Sequence, residues 1–224
     1  MNSNQWRVIP GTGGRPVRLA VLISGQGSTL QHFLDLIRAG RLAASVEVVV
    51  SSRADAFGLE RARRAQVPAI AVARRDFPDV DAFNDALHAA LEGYAIDLVL
   101  LAGFLSPFQL RQRYRDRVLN VHPALIPAFC GQGFYGMHVH RAVLESGVKV
   151  SGCTVHFVDE EYDHGPIILQ ECVPVLDDDT PEALAARVQE VERRLYPEAV
   201  RLWAEGRLAI AGRRVRLLAP APRA

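Results

Sequence analysis

The chain alternates between short unbroken apolar runs and longer segments in which apolar residues recur every three or four positions. The first run, residues 18–24 (RLAVLIS), is bounded by glycine and reads as a strand buried on both faces. Beyond the turn Gly25-Gln26-Gly27-Ser28-Thr29, the residues Leu30, Phe33, Leu34 and Ile37 fall on one face of a helix that ends near Gly40. The same alternation predicts a strand over 46–51, a helix over 55–64, a short strand over 69–72, a helix over 80–91 and a buried strand over 97–102. Pro107 is suited to the first position of a helix, and one is expected from there to about Tyr114. Repeated strand and helix units predict a mostly parallel α/β sheet with right-handed crossovers.

The second half opens on Val118-Leu119-Asn120-Val121-His122-Pro123. Side chains alternate across a strand, so Asn120 and His122 point to one side while Leu119 and Val121 point to the other. Pro123 cannot continue a central ladder, which leaves His122 at the carboxyl end of the strand, where open α/β sheets hold ligands. A long glycine-rich loop follows over 123–137, then a helix to about Ser146. Strands over 150–158 and 167–175 read as a wide antiparallel hairpin around the acidic loop 159–166. Asp179-Thr180-Pro181 caps a long helix over 182–205, and a closing hairpin over 208–218 turns at Ala211-Gly212. Residues 1–16, rich in Gly, Pro and polar side chains, are expected to form a loose tail, and 218–224 another.

Composition narrows the possibilities. With 224 residues, 49% hydrophobic and 23% charged, the chain is globular, and residues 17–217 are expected to form a single domain of two joined halves, 17–118 and 119–217. A net charge of +1 gives no general case for a nucleic acid or an anionic membrane as partner. Lys149 is the only lysine, so a scheme that needs a catalytic or phosphate-binding lysine has one candidate. Cys130, Cys153 and Cys172 are an odd set without CxxC spacing, which predicts reduced, mostly buried thiols in a cytoplasmic protein. No apolar segment near the start reads as a leader or an anchor.

The strand, glycine turn and helix start around residues 25–29 have the order of an anion site, because glycines let the backbone approach and helix-start amides point at a phosphate. The third dinucleotide glycine is absent, there is no Walker lysine, and no acid closes the next strand, so NAD and ATP readings lose support. The alternative is a plain tight turn with Ser28 or Thr29 as cap. His122, Cys130, His138 and His140 raise the question of zinc, but their spacing matches no familiar ligand signature, and no metal is expected. The acidic loop read alone is a solvated loop.

Taken jointly, residues 22–31 (LISGQGSTLQ), Asn120-Val121-His122-Pro123, 154–159 (TVHFVD) and 163–170 (DHGPIILQ) resemble the folate-dependent formyltransferases, and among them the enzymes that act on phosphoribosylglycinamide. The likeness runs in order from about residue 17 to 217. It implies a Rossmann-like, mostly parallel sheet with helices on both faces, continued by an antiparallel C-terminal extension. It also implies transfer of a formyl group from 10-formyltetrahydrofolate, as co-substrate, to the amino group of glycinamide ribonucleotide in purine (IMP) biosynthesis. The partners implied are small molecules, with no nucleic acid or membrane, in a monomer or homodimer.

Residue by residue, the resemblance assigns Asn120, His122 and Asp163 to catalysis. Gly27, Ser28 and Thr29 match the substrate's phosphate and amine turn, and Glu192 matches a carboxylate that holds its ribose. Phe104, Leu105, Ser106, Asn120 and the run Asp159, Glu160, Glu161, Tyr162, Asp163 match contacts to the folate. His156 is expected to support the site by packing. Thr29 stands where better-known members carry Asn, Val80 where some use Arg against the folate tail; the turn after Phe104 is shortened and 130–137 is expanded. Formyltetrahydrofolate hydrolases and amino-sugar formyltransferases share the Asn-x-His-Pro stretch and remain the alternatives.

Overall fold

The computed structural model describes residues 5–220, so Met1 to Asn4 and the last four residues of the expected tails lie outside it. The chain divides into two compact units, residues 15–119 and the part from Asn120 onward, which is joined by the segment before Arg15. Among the described residues, seven strands are hydrogen-bonded in the order 69–71, 44–51, 17–23, 98–101, 118–122, 150–157 and 167–174, and three more form a separate antiparallel sheet.

The unit from Arg15 to Leu119 is built of βα repeats. Strand β2 (Val17–Ile23) pairs in parallel with β3 (Ala44–Ser51) and β5 (Leu98–Leu101), and β3 pairs with β4 (Ala69–Ala71). All four residues of β5 are buried, and so is every residue of β2 except the half-buried Arg18, which is why these strands read as continuous apolar runs. Helix α1 (Ser28–Arg38) buries Leu30, Phe33 and Leu36, α2 (Phe57–Arg64) buries Leu59 and Ala62, and α3 (Val80–Glu92) buries Phe83, Leu87 and Leu91. At the base of β5, Asp97 accepts hydrogen bonds from the guanidinium groups of Arg15 and Arg18 and from the Arg18 amide. The Arg15 bonds first, with those of Arg18, hold the Asp97 carboxyl far below the usual carboxylate range despite its burial.

The helix expected from Pro107 does not form; only Gln112–Tyr114 makes a single 3₁₀ turn. Two buried polar side chains of α3 account for this. Asn84 donates to the Pro107 carbonyl and accepts from the Gln109 amide, and His88 Nε2 lies 2.9 Å from the Gln109 carbonyl. These bonds take the backbone groups that a first helical turn would have used.

The other unit holds the end of β6 (Val118–His122), α4 (Met137–Ser146), the hairpin β7 (Val150–Phe157) with β8 (Ile167–Pro174), and α5 (Pro181–Ala204). Thr180 caps α5 through its hydroxyl, which accepts from the Ala183 amide. Helix α5 continues through Pro197, with Leu195, Tyr196, Ala199 and Val200 buried around it, so packing outweighs the backbone bond that proline removes.

Strand β9 (Leu208–Ala211) is the centre of the small sheet, flanked by β10 (Arg214–Leu217) and, from the start of the chain, β1 (Arg7–Val8). The expected loose tail over 1–16 is therefore corrected over residues 7–9. Arg7 and Val8 pair with Ile210 and Ala209, and Ile9 is 2% exposed with its amide bonded to the Leu208 carbonyl. Two paired residues carry no periodicity, so this strand had no sequence signal. A second correction concerns the thiols: only Cys153 is buried, Cys130 is half-buried and Cys172 is exposed.

Candidate active site

Strand β6 ends at His122, immediately before Pro123, and the alternation sends Asn120 and His122 to one side. The acidic loop after β7 brings Asp163 to both. Asn120 Nδ2 donates to Asp163 Oδ1 at 3.2 Å, and His122 Nδ1 lies 3.4 Å from Asp163 Oδ2. His156 closes the cluster. Its Nδ1 sits 2.8 Å from the Phe157 carbonyl, which can only accept, so the proton is on Nδ1 and Nε2 accepts from Asn120 Nδ2 at 3.2 Å. The expectation that His156 serves only in packing is thus extended, because it fixes which way the Asn120 carboxamide faces.

The glycine-rich segment after β6 adds two main-chain groups. His122 Nε2 lies 2.8 Å from the Phe129 carbonyl, which assigns a proton to Nε2, and the Gly131 amide donates to Asp163 Oδ2 at 3.0 Å. The start of the segment is pinned by the buried Thr154 hydroxyl, which donates to the Ala124 carbonyl and accepts from the Ile126 amide and from Gln170. Thr154 and Gln170 face each other across the β7 and β8 ladder, so the hairpin sets the course of the segment.

His122 is 3% exposed. Burial disfavours the imidazolium and pushes its pKa below the ordinary value; the Asp163 charge and the Phe129 carbonyl offset only part of this. The direction thus favours the neutral ring, with its proton on Nε2. The 3.4 Å separation fits, being longer than a charge-assisted hydrogen bond. For Asp163, burial pushes the carboxyl up, but the bond and charge that His156 and His122 supply when protonated, with the Gly131 amide, outweigh it and hold it below its usual range.

The unit from Arg15 to Leu119 carries the other predicted residues in two turns. Gly27 is the N-cap of α1 with φ +68°, and no side chain caps that helix start, so Ser28 and Thr29 open the helix and are not its caps. A Cβ on Gly27 would stand 2.7 Å from Gly58 Cα, and the Gly58 amide donates to the Gly25 carbonyl. Gly27→Ala meets both a left-handed backbone and this backbone wall, so it should lower stability by about 1–3 kcal/mol in denaturant unfolding. The second turn is held by Ser24, whose hydroxyl accepts from the Leu105 amide. Phe104 stacks on Phe83 at 6.4 Å, while Leu105 is 55% exposed.

Of the remaining predicted residues, Glu192 is half-buried on α5, close enough to β7 that its charge, after burial, helps push the Cys153 thiol up. Glu160, Glu161 and Tyr162 are exposed on the acidic loop, and Asp159 binds the Glu161 amide and His164 Nδ1. His138 packs against Tyr135 and His140 is buried in α4. Among the described residues, no group of three or more His, Cys, Asp or Glu side chains is placed to hold a metal ion.

A mostly parallel α/β sheet here brings an amide, an imidazole and a carboxylate together, groups that can stabilise an oxyanion and carry a proton, in a fold that alone assigns no reaction. Residues 17–200 match the formyl transferase family, and the chain belongs to it. It is 41% identical over 195 residues to the phosphoribosylglycinamide formyltransferase of Escherichia coli, covering 86% of this chain and 89% of that one. The human trifunctional purine biosynthetic protein adenosine-3 is 41% identical over 196 residues, covering 86% of this chain and 19% of that one. The crystal structure of glycinamide ribonucleotide transformylase 1 from Symbiobacterium toebii superposes with a TM-score of 0.83 at 51% identity, covering 92% of this chain and 96% of that one.

Proposed function

We propose that this chain transfers the formyl group of 10-formyltetrahydrofolate to the amino group of 5′-phosphoribosylglycinamide, giving the formylated ribonucleotide and tetrahydrofolate in purine synthesis. The observation that carries the proposal is the meeting of Asn120 and His122 on the two oxygens of Asp163, in a chain similar along most of its length to enzymes of that name.

An amine attacking a formyl carbon produces a tetrahedral oxyanion, which needs donors placed where the charge develops. The Asn120 amide is one donor. The Nε2 proton of His122, released from the Phe129 carbonyl, is the second, and it passes to the folate nitrogen as that nitrogen leaves. The proton shed by the attacking amine goes to the neutral imidazole, which gains most from it when negative charge appears beside it; the ring then hands its Nε2 proton to the folate nitrogen and ends neutral, so stabilisation grows towards the transition state. Asp163 Oδ2 stands beside Nδ1 to receive the incoming proton's hydrogen bond. Gly27, Ser28 and Thr29 take the substrate phosphate at the start of α1, Glu192 takes the ribose hydroxyls, and Phe104 to Ser106 with Asp159 to Asp163 bear on the folate. The protein works in the cytoplasm on diffusible substrates; no described helix is long and apolar enough to cross a membrane.

The direct test is to incubate the pure protein with both substrates and follow deformylated folate. Amine-dependent release supports the proposal, whereas equal release without the amine makes the chain a hydrolase. Asn120→Ala should lower kcat by roughly 10²–10³, about 3–4 kcal/mol, as loss of an oxyanion donor does. A loss confined to KM would remove Asn120 from that role.

A further inference from the structure

We infer that Arg213, in the turn of the C-terminal hairpin, is a positioning residue for the reaction, acting through the main chain of the acidic loop on Asp163; this rests on the function proposed above. The turn between β9 and β10 lies far along the sequence from the catalytic residues, yet Arg213 Nη2 donates to the carbonyl of His164 at 2.7 Å. His164 follows Asp163, which itself holds a left-handed backbone with φ +52°, a region that non-glycine residues enter at some cost and that neighbouring contacts must hold in place.

The enforcement can be traced bond by bond. Asp159 Oδ1 accepts from the Glu161 amide and Asp159 Oδ2 meets His164 Nδ1 at 2.7 Å, which draws the two ends of the loop together. A Cβ on Gly165 would collide with the Phe157 carbonyl, so the loop returns to the sheet at van der Waals contact with the end of β7. These contacts fix the loop from the inside and at its return. From the outside, Arg213 fixes the His164–Gly165 peptide, one unit beyond the peptide that follows Asp163, with a charged donor that is stronger than a neutral one. A carboxylate that must face Asn120, His122 and the Gly131 amide at once tolerates little rotation about its own backbone. The small sheet that carries Arg213 therefore has a role in the chemistry, and its central strand β9, buried throughout, supplies a rigid base for that arm.

The test compares Arg213→Ala, Arg213→Lys and Arg216→Ala, the last removing an arginine of the same hairpin that lies 4.2 Å over the Trp6 ring. Arg213→Ala should lower kcat about tenfold with KM for the ribonucleotide nearly unchanged, because the misplaced group acts in the transition state. The acid limb of its kcat/KM profile should move to higher pH as the bonds that hold Asp163 ionised loosen. Arg213→Lys, which keeps one charged donor, should recover part of the loss, and Arg216→Ala should behave as wild type. Wild-type kcat and pH profile in Arg213→Ala, or an equal loss in Arg216→Ala, would overturn the inference. Two controls separate the levels: wild-type protein without amine-dependent release fails the proposed function, whereas with active wild type an active Asp163→Ala fails the role of Asp163 through which Arg213 acts, and an Asp163→Ala that alone is inactive fails only the role of Arg213.

Discussion

His122→Ala is expected to reduce turnover by two or more orders of magnitude while leaving the fold intact. The ring touches the sheet's interior on one side and two acceptors on the other, the Phe129 carbonyl and Asp163 Oδ2, so its loss removes both a donor to the oxyanion and the proton carrier. The comparison to make is kcat under saturating folate, with circular dichroism to confirm the fold; near-normal formylation would refute the assignment. The same variant carries a pH signature. In the folded protein the ring takes a proton less readily than in the unfolded chain, so the unfolded state binds more protons once the pH drops below about 6.5, and stability falls with pH from there. His88 and His140 are also lowered, burial being the first cause in each, so His122→Ala should abolish part of that fall and not all of it. Thermal unfolding at about pH 5.5 and about pH 7.5 would measure the difference.

Asp163→Ala should be of similar severity, again two orders of magnitude or more in kcat. Asp163 accepts from Asn120 and from the Gly131 amide and faces both imidazoles, so removing it leaves the Asn120 amide and the Gly131 N–H without their acceptor and His122 without a stabilising charge. Asp163→Asn is the sharper probe, since it keeps the volume but removes the charge. If the carboxylate matters through charge, the asparagine variant should be nearly as slow as the alanine variant. Recovery to wild-type rates would mean that shape and hydrogen bonding suffice.

Much of the framework was legible in the residues because periodicity reports burial. The runs that became β2, β3 and β5 are apolar along most of their length, and the period-two placement of Asn120 and His122 was enough to put both on one side of the strand. Asp163 was different. Nothing in local spacing ties residue 163 to residue 120, since the pairing depends on how β7 and β8 return the chain, and the acid came forward only through the family likeness. The main-chain partners Phe129 and Gly131 had no signature at all, because a carbonyl or an amide looks the same in every sequence. The missed segment after Pro107 has a comparable cause: Asn84 and His88, more than twenty positions away, took the backbone groups of an apparent helix start. His122 illustrates a further limit, since a sequence shows the neighbouring charge but not the depth of burial that outweighs it.

Because the imidazole and the carboxylate are gripped by the peptide groups of residues 129 and 131, the stretch between Pro127 and Gly136 reads as a measuring tape more than a text. The two bonds come from the main chain, so the identity of the side chains at 129 and 131 matters to them only through the course it gives the backbone. Loss or gain of a single residue there would slide the carbonyl and the amide out of step with their partners, and silence the enzyme without altering any of its reacting side chains.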